Sequence, residues 1–235
     1  MDPSGNVFVT DGANHRIQKF TSSSGFLASW GEFGPGLGQF SSPNGIAVES
    51  SGAVYVCDTY NNRIQKFRND GGFIRTWGTL GTGDGEFNEP RGIALDHSAN
   101  VFVTDVQNHR IQKFTNTGGF LARWGKPGIE VQKFLFPWDV AVDSGGNVYV
   151  TDPGNNHIQK FGNNGNYVRT WAHLDPEMVS LTNRLVLHWT LQPMYLSLMA
   201  VITGFRSSKL RESLQQSGDL MARLMVNSDI RLELL

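Results

Sequence analysis

Four aspartates, Asp11, Asp58, Asp105 and Asp152, recur every 47 residues, and an asparagine follows each three residues later (Asn14, Asn61, Asn108, Asn155). Two residues beyond that stands Arg16, Arg63 or Arg110, replaced in the last copy by His157. A carboxylate, a carboxamide and a guanidinium at this spacing can do three things. The short polar side chains can take backbone N–H groups and shape a turn. The arginine can pair with the aspartate on a solvated face. Arginines repeated around one rim can hold phosphate or carboxylate groups. Identity in every copy favours the turn reading for Asp and Asn, because a residue present in all repeats serves the repeat itself. Arg16, Arg63, Arg110 and His157 stay open between pairing and ligand binding. His15 and His109 share one loop position, where the second copy has Asn62, and this set falls short of the converging ligands a zinc ion needs. We therefore assign no catalytic residue, metal or cofactor; nucleophile-elbow, phosphate-loop and HExxH motifs do not occur.

The elements that must position these residues follow from the repeat. In the second period the apolar runs are GIAVE (45–49), AVYVCD (53–58), RIQKF (63–67) and FIRTWG (73–78), parted by Gly, Asn, Asp and Ser. Their alternation is close to two residues and each is short, so the spacing predicts strands and no helix before His173. Four strands per period is the pattern of a propeller blade. The first copy lacks the run equivalent to PNGIAV, so its innermost strand is missing. The first hairpin of each blade reads DPSGN, ESSGA, DHSAN and DSGGN; Ala99 takes a place that elsewhere is Gly, and mild backbone strain is expected there. Ile17, Phe20, Trp30, Phe40 and their equivalents are expected to pack between blades. Lys19, Lys66, Lys113 and Lys160 alternate with them and are expected to face water.

Positions that vary between copies carry more information about ligands. The loop between second and third strands and the loop between blades emerge on one face of a propeller. On the first, the varying residues include Tyr60 and Gln107; on the second, the residues after the repeated prolines are Asn44, Arg91 and Trp138, with Asp139 where the other copies have Gly45 and Gly92. Tyr, Arg and Trp are the types enriched at binding hot spots. Asn44, Tyr60, Arg91, Gln107, Trp138 and Asp139 form the candidate binding face, together with the arginine series and His157.

The composition is that of a globular chain: 39% hydrophobic and 11% aromatic over 235 residues, with a formal net charge of −1 that calls for no polyanionic partner. Its single cysteine, Cys57, fills a slot held by Thr10, Thr104 and Thr151, which rules out an internal disulfide framework. No secretory signal follows Met1 as written, and a cytoplasmic setting is favoured. Residues 173–235 share nothing with the repeats. Their apolar stretch 185–205 approaches membrane-spanning length, but His188, Gln192 and Pro193 interrupt it, which argues against insertion. Further on, Leu210, Leu214, Met221, Leu224 and Met225 suggest a helical face. A change of reading frame at the end of the fourth repeat would produce the same abrupt shift.

The strings PNGIAVE, GGNVYVTD and NNRIQKF resemble the NHL repeat, in four in-phase copies over roughly residues 1–172. The resemblance implies an all-β fold, an NHL-type β-propeller of about four four-stranded blades (1–172), followed by a short helical or poorly ordered tail (173–235). Family propellers usually have six blades, so a fragment of a longer array, a smaller ring, or two chains completing each other through open blade edges all remain open. By resemblance the function is a non-catalytic binding scaffold for a protein or peptide, with RNA or glycan as further partner classes. Tripartite-motif and malin-like ubiquitin ligases use such propellers for substrate recognition, although the zinc-bound RING is missing here. Amidating-lyase relatives imply the alternative of a metal-dependent lyase- or lactonase-like enzyme.

Overall fold

The structure, a computed structural model, describes residues 1–171. The helical and membrane expectations for 173–235, and the replacement of the repeated Gly31, Gly78 and Gly125 by Ala172, lie outside the described residues.

Among the described residues fifteen strands form four antiparallel sheets. The first holds β1 (Val7–Asp11), β2 (Arg16–Phe20) and β3 (Phe26–Trp30). The second holds β4 (Pro43–Val48), β5 (Val54–Asp58), β6 (Arg63–Phe67) and β7 (Phe73–Trp77). The third holds β8 (Pro90–Leu95), β9 (Val101–Asp105), β10 (Arg110–Phe114) and β11 (Phe120–Trp124), and the fourth β12 (Asp139–Val142), β13 (Val148–Asp152), β14 (His157–Phe161) and β15 (Tyr167–Trp171). Each sheet is a simple meander, as the 47-residue period predicts, and among the described residues the first has three strands, without an equivalent of β4 beside β1. The only helical turns among the described residues are three-residue 3-10 turns between the second and third strands, Gly12–Asn14, Thr59–Asn61, Val106–Asn108 and Pro153–Asn155.

Neighbouring sheets pack face to face through aromatic rings. Trp30 contacts Phe8 in its own sheet edge-on at 6.2 Å and Phe67 in the next sheet at 6.1 Å. Trp77 repeats this with Tyr55 and Phe114, and Trp124 with Phe102 and Phe161. Phe40, Phe87 and Phe134, fully buried at the end of the inter-blade loops, close each layer against Phe67, Phe114 and Phe161. The core is thus three equivalent layers between four sheets, and each blade is stabilised by burying its face on the next. The inner strands run so close that a Cβ at Gly45 would stand 2.1 Å from the Arg91 carbonyl oxygen, which explains Gly at that place.

Ala99 does adopt φ 60, where Gly5, Gly52 and Gly146 have φ between 79 and 90, so the hairpin carries the strain foreseen. The repeated lysines, in contrast, do not face water. The Lys66 side chain is 13% exposed; its ammonium reaches Glu49 at 3.3 Å, the Asn116 carbonyl of the next blade at 3.2 Å, and the Tyr55 ring at 4.7 Å. Lys19 likewise bridges Asp2 and Asn69, and Lys113 bonds Asn163. Lys19 and Lys66 stand two residues from Ile17 and Ile64 and so share their face, which the adjoining blade covers.

Candidate functional site

The geometry grows from the aspartate that ends each second strand. At Asp58 the chain turns through Thr59–Asn61, and Asn62 takes the left-handed conformation (φ 54) that starts β6. The carboxylate, fully buried, accepts from four donors: the Ser41 N–H at 2.7 Å, Asn61 Nδ2 at 2.9 Å, Arg63 Nε at 2.7 Å and Gln65 Nε2 at 3.0 Å. The backbone N–H it takes thus belongs to the preceding inter-blade loop, 17 residues back, and not to its own turn. Asp105 is built alike, from Asn88, Asn108, Arg110 and Gln112. Burial pushes the Asp105 carboxyl up from its ordinary value, and the Asn88 N–H, Asn108 and Arg110 work against that rise.

The arginines extend the clamp. Arg63 donates from Nη1 to the Pro35 carbonyl at 2.7 Å, and from Nη2 to those of Gly36 at 2.7 Å and Gln39 at 2.9 Å. Arg110 does the same to Thr82, Gly83 and Glu86. One planar guanidinium therefore ties a buried carboxylate to three carbonyls of the loop that enters the blade, a geometry only Arg can satisfy. In the fourth blade His157 stands 3.2 Å from Asp152, and the side chains that hold the loop are Asp152, on the Leu135 N–H, with Asn155 and Gln159 on the Gly128 and Lys133 carbonyls. Gln65, Gln112 and Gln159, which bridge the same loops, carry no signal of this role beyond being invariant across the repeats. His15 and His109 each accept a backbone N–H at Nδ1, from Ser42 at 3.0 Å and Phe136 at 3.1 Å; Asn62 does this with Oδ1 for Glu89. Among the described residues no group of three His, Cys, Asp or Glu side chains is arranged to hold a metal ion.

These clamps fix the face that carries the varying residues. The turn and the inter-blade loop are joined by backbone bonds from Tyr60 to Ser41, Gln107 to Asn88 and Gly154 to Leu135, each at 3.1 Å. Tyr60 projects from it with 56% of its surface exposed, and Gln107 is also exposed. Asn44, Arg91 and Trp138 are half-buried at the starts of the inner strands. The structure brings two of them together: the Arg91 guanidinium lies 4.0 Å above the Trp138 ring, and its Nη2 donates to Glu89 at 3.0 Å. Asp139 does not reach the surface; it is buried where the inner strands meet, with its backbone N–H on Thr151 Oγ1 at 2.9 Å. Cys57 lies in the same layer, its thiol near the Gly92 carbonyl, and burial together with Asp139 and Asp58 raises its pKa well above the ordinary thiol value.

Sequence reading missed a second set on this face. Phe33, Leu37, Leu80 and Ile129, all in the inter-blade loops, are largely exposed, and Phe136 stacks on His109 at 4.6 Å. Phe33 and Leu80 share one repeat position, which the third copy fills with Pro127, whereas Leu37 and Ile129 stand where the second copy has Asp84 and Thr82; an apolar residue in a loop of small and polar ones was the available signal.

Comparison with known proteins gives the following. A model described as the NHL repeat matches residues 1–20, 40–67, 87–114 and 134–161. No curated protein matches the chain. Among solved structures, streptogramin B lyase aligns with a TM-score of 0.56 at 21% identity, over 72% of this chain and 51% of that one. Hydrazine synthase of Kuenenia stuttgartiensis aligns at 0.55 and 14% identity, over 72% and 47%. A protein of unknown function from Bacteroides caccae aligns at 0.52 and 15% identity, over 72% and 58%. The chain spans about half the length of these structures, and at such identities the likeness is one of fold.

Proposed function

The chain belongs to the NHL-repeat family, and on that premise we propose that it is a non-catalytic binding scaffold that takes a protein or peptide on the loop face around Tyr60, Arg91 and Trp138. The observation that carries this reading is the stacked Arg91–Trp138 pair beside a projecting Tyr60, on loops tied down by the aspartate clamps. Rigid aromatic and guanidinium anchors lose little conformational entropy on binding, and a preorganised loop loses less still. The apolar Phe33, Leu37 and Leu80 on neighbouring loops supply burial area of the kind a peptide uses.

A peptide partner is favoured over RNA by the fate of the arginines. Arg63 and Arg110 spend their donors on Asp58, Asp105 and loop carbonyls, which removes them from a phosphate-binding rim, and Arg91 is already paired with Glu89. The test is a selection of displayed random peptides on the immobilised 235-residue chain. Enriched peptides should lose binding at least tenfold with Tyr60→Ala or Trp138→Ala. Peptides that bind both variants as well as the parent, or no enrichment at all, refute the reading. Binding of single-stranded RNA with a steep salt dependence would replace it.

A further inference from the structure

Three residues of the inter-blade loops take the left-handed conformation although none is glycine: Ser42 (φ 52), Glu89 (φ 57) and Phe136 (φ 63). Each precedes a proline, Pro43, Pro90 or Pro137. Proline pushes the residue before it toward extended backbone, and a bulky side chain rarely takes a positive φ, so each loop must be held in this shape by its surroundings. The holder is the residue that caps a 3-10 turn of the preceding blade. His15 Nδ1 accepts the Ser42 N–H at 3.0 Å, Asn62 Oδ1 that of Glu89 at 2.9 Å, and His109 Nδ1 that of Phe136 at 3.1 Å. The Phe136 ring also lies against His109, with centroids 4.6 Å apart. Two residues beyond the held positions stand Asn44, Arg91 and Trp138, so these bonds fix the backbone that carries the loop face.

The holders differ in one respect. A carboxamide oxygen accepts a hydrogen bond at any pH, whereas imidazole offers Nδ1 as an acceptor only while unprotonated, because imidazolium is a donor at both nitrogens. Histidine is also the side chain whose charge ordinarily changes between about pH 5 and pH 8. We propose that His109 is a proton-operated latch on the loop face: unprotonated, it holds Phe136, and with it Trp138, in the arrangement that takes a peptide, and proton uptake at Nδ1 breaks the bond to Phe136, frees the segment and weakens binding. His15 acts likewise on Ser42 and Asn44, while Asn62 holds Glu89 and Arg91 independently of pH. The effect on binding rests on the reading of the loop face as a peptide site; the latch itself does not. Around His109 the charged groups are Asp105 and Arg110 of its own turn, Lys126, Glu130 and Lys133 of the loop running to Phe136, Asp152 on the Leu135 N–H, and Arg91 against Trp138. Around His15 they are Asp11, Arg16, Glu32 and Asp58.

The experiment uses the full 235-residue chain and reads amide hydrogen exchange by NMR at about pH 7.5 and about pH 5.5, as protection factors from which the intrinsic pH dependence of exchange is removed. The Phe136 and Ser42 amides should lose protection about fivefold or more on acidification, the worth of one net hydrogen bond, while the Glu89 amide keeps its own. His109→Asn should make the Phe136 amide as indifferent to pH as that of Glu89, and Asn62→His should make the Glu89 amide sensitive. Equal protection of Phe136 at both pH values overturns the proposal, as does a loss that persists in His109→Asn, which would trace to the surrounding carboxylates. A peptide selected on the parent chain should bind about fivefold or more weakly at the lower pH, and this drop should vanish in His109→Asn. Binding that ignores pH overturns the link to the loop face. If the selection yields no peptide, the peptide reading fails and the exchange measurement still decides the latch.

Discussion

Arg16, Arg63 and Arg110 occupy the same repeat position and each pairs with the aspartate of its own repeat, yet truncating them to alanine should have very different costs. Arg110 is 7% exposed and donates to a fully buried Asp105 and to three carbonyls at 2.6 to 2.9 Å. Removing one partner of a buried pair leaves an uncompensated charge, at about 3–5 kcal/mol. Arg110→Ala should therefore cost about 4 kcal/mol, and Arg63→Ala, with the same four bonds and an equally buried Asp58, about the same. Arg110→Lys keeps the charge but replaces a planar fork with a point ammonium, and should fall between parent and alanine variant. Arg16→Ala should shift the midpoint least of the three, because its ion pair with Asp11 is open to water and screened by salt. The assay is urea unfolding followed by tryptophan fluorescence, to which Trp30, Trp77 and Trp124 of the three inter-sheet layers contribute. Equal shifts for all three alanine variants, or a cost under about 1 kcal/mol at Arg110, would refute the reasoning that burial and the loop carbonyls set the energy.

Ala99→Gly should stabilise the chain: the left-handed φ costs an alanine about 1–2 kcal/mol, and the added unfolded-state freedom of glycine returns about 0.4–1, leaving a net gain of roughly 0.5–1. A thermal midpoint that drops in the variant would contradict the strain assigned to that hairpin. A second expectation concerns acid. Burial alone would raise the Asp2 carboxyl, but bonds from the Asn6 and Asn69 side chains and the Asn6 and Ser4 backbone outweigh it and bring it down to about 2; Asp96 and Asp143 are lowered in the same manner. A depressed folded-state pKa adds stability that is present above the unfolded value of about 3.9 and is lost as pH falls through the folded one. The unfolding midpoint should therefore decline between about pH 4 and pH 2, and Asp143→Asn should flatten that decline; an unchanged slope would count against the hairpin aspartates.

Much of this molecule is written locally. The 47-residue period, the two-residue alternation of RIQKF and VYVCD and the Gly-rich hairpins determine fifteen strands and four meanders, because strand and turn formation depend on neighbours a few residues apart. The misfit of Ala99 was legible for the same reason: a left-handed turn position has a chemical preference that one residue reveals. The lysines and arginines were not fully legible. Sequence shows that Lys66 shares a strand face with Ile64 and that Arg63 follows Asp58, but their partners, Asn116, Pro35 and Gln39, stand 24 to 50 residues away in adjoining repeats. Where every repeat carries the same residues, a periodic sequence cannot say whether a side chain bonds its own blade or the next. Stacking decided that, since it covers the face on which Lys66 sits, seals Asp58 and Asp105 from water, and lays Arg91 across Trp138.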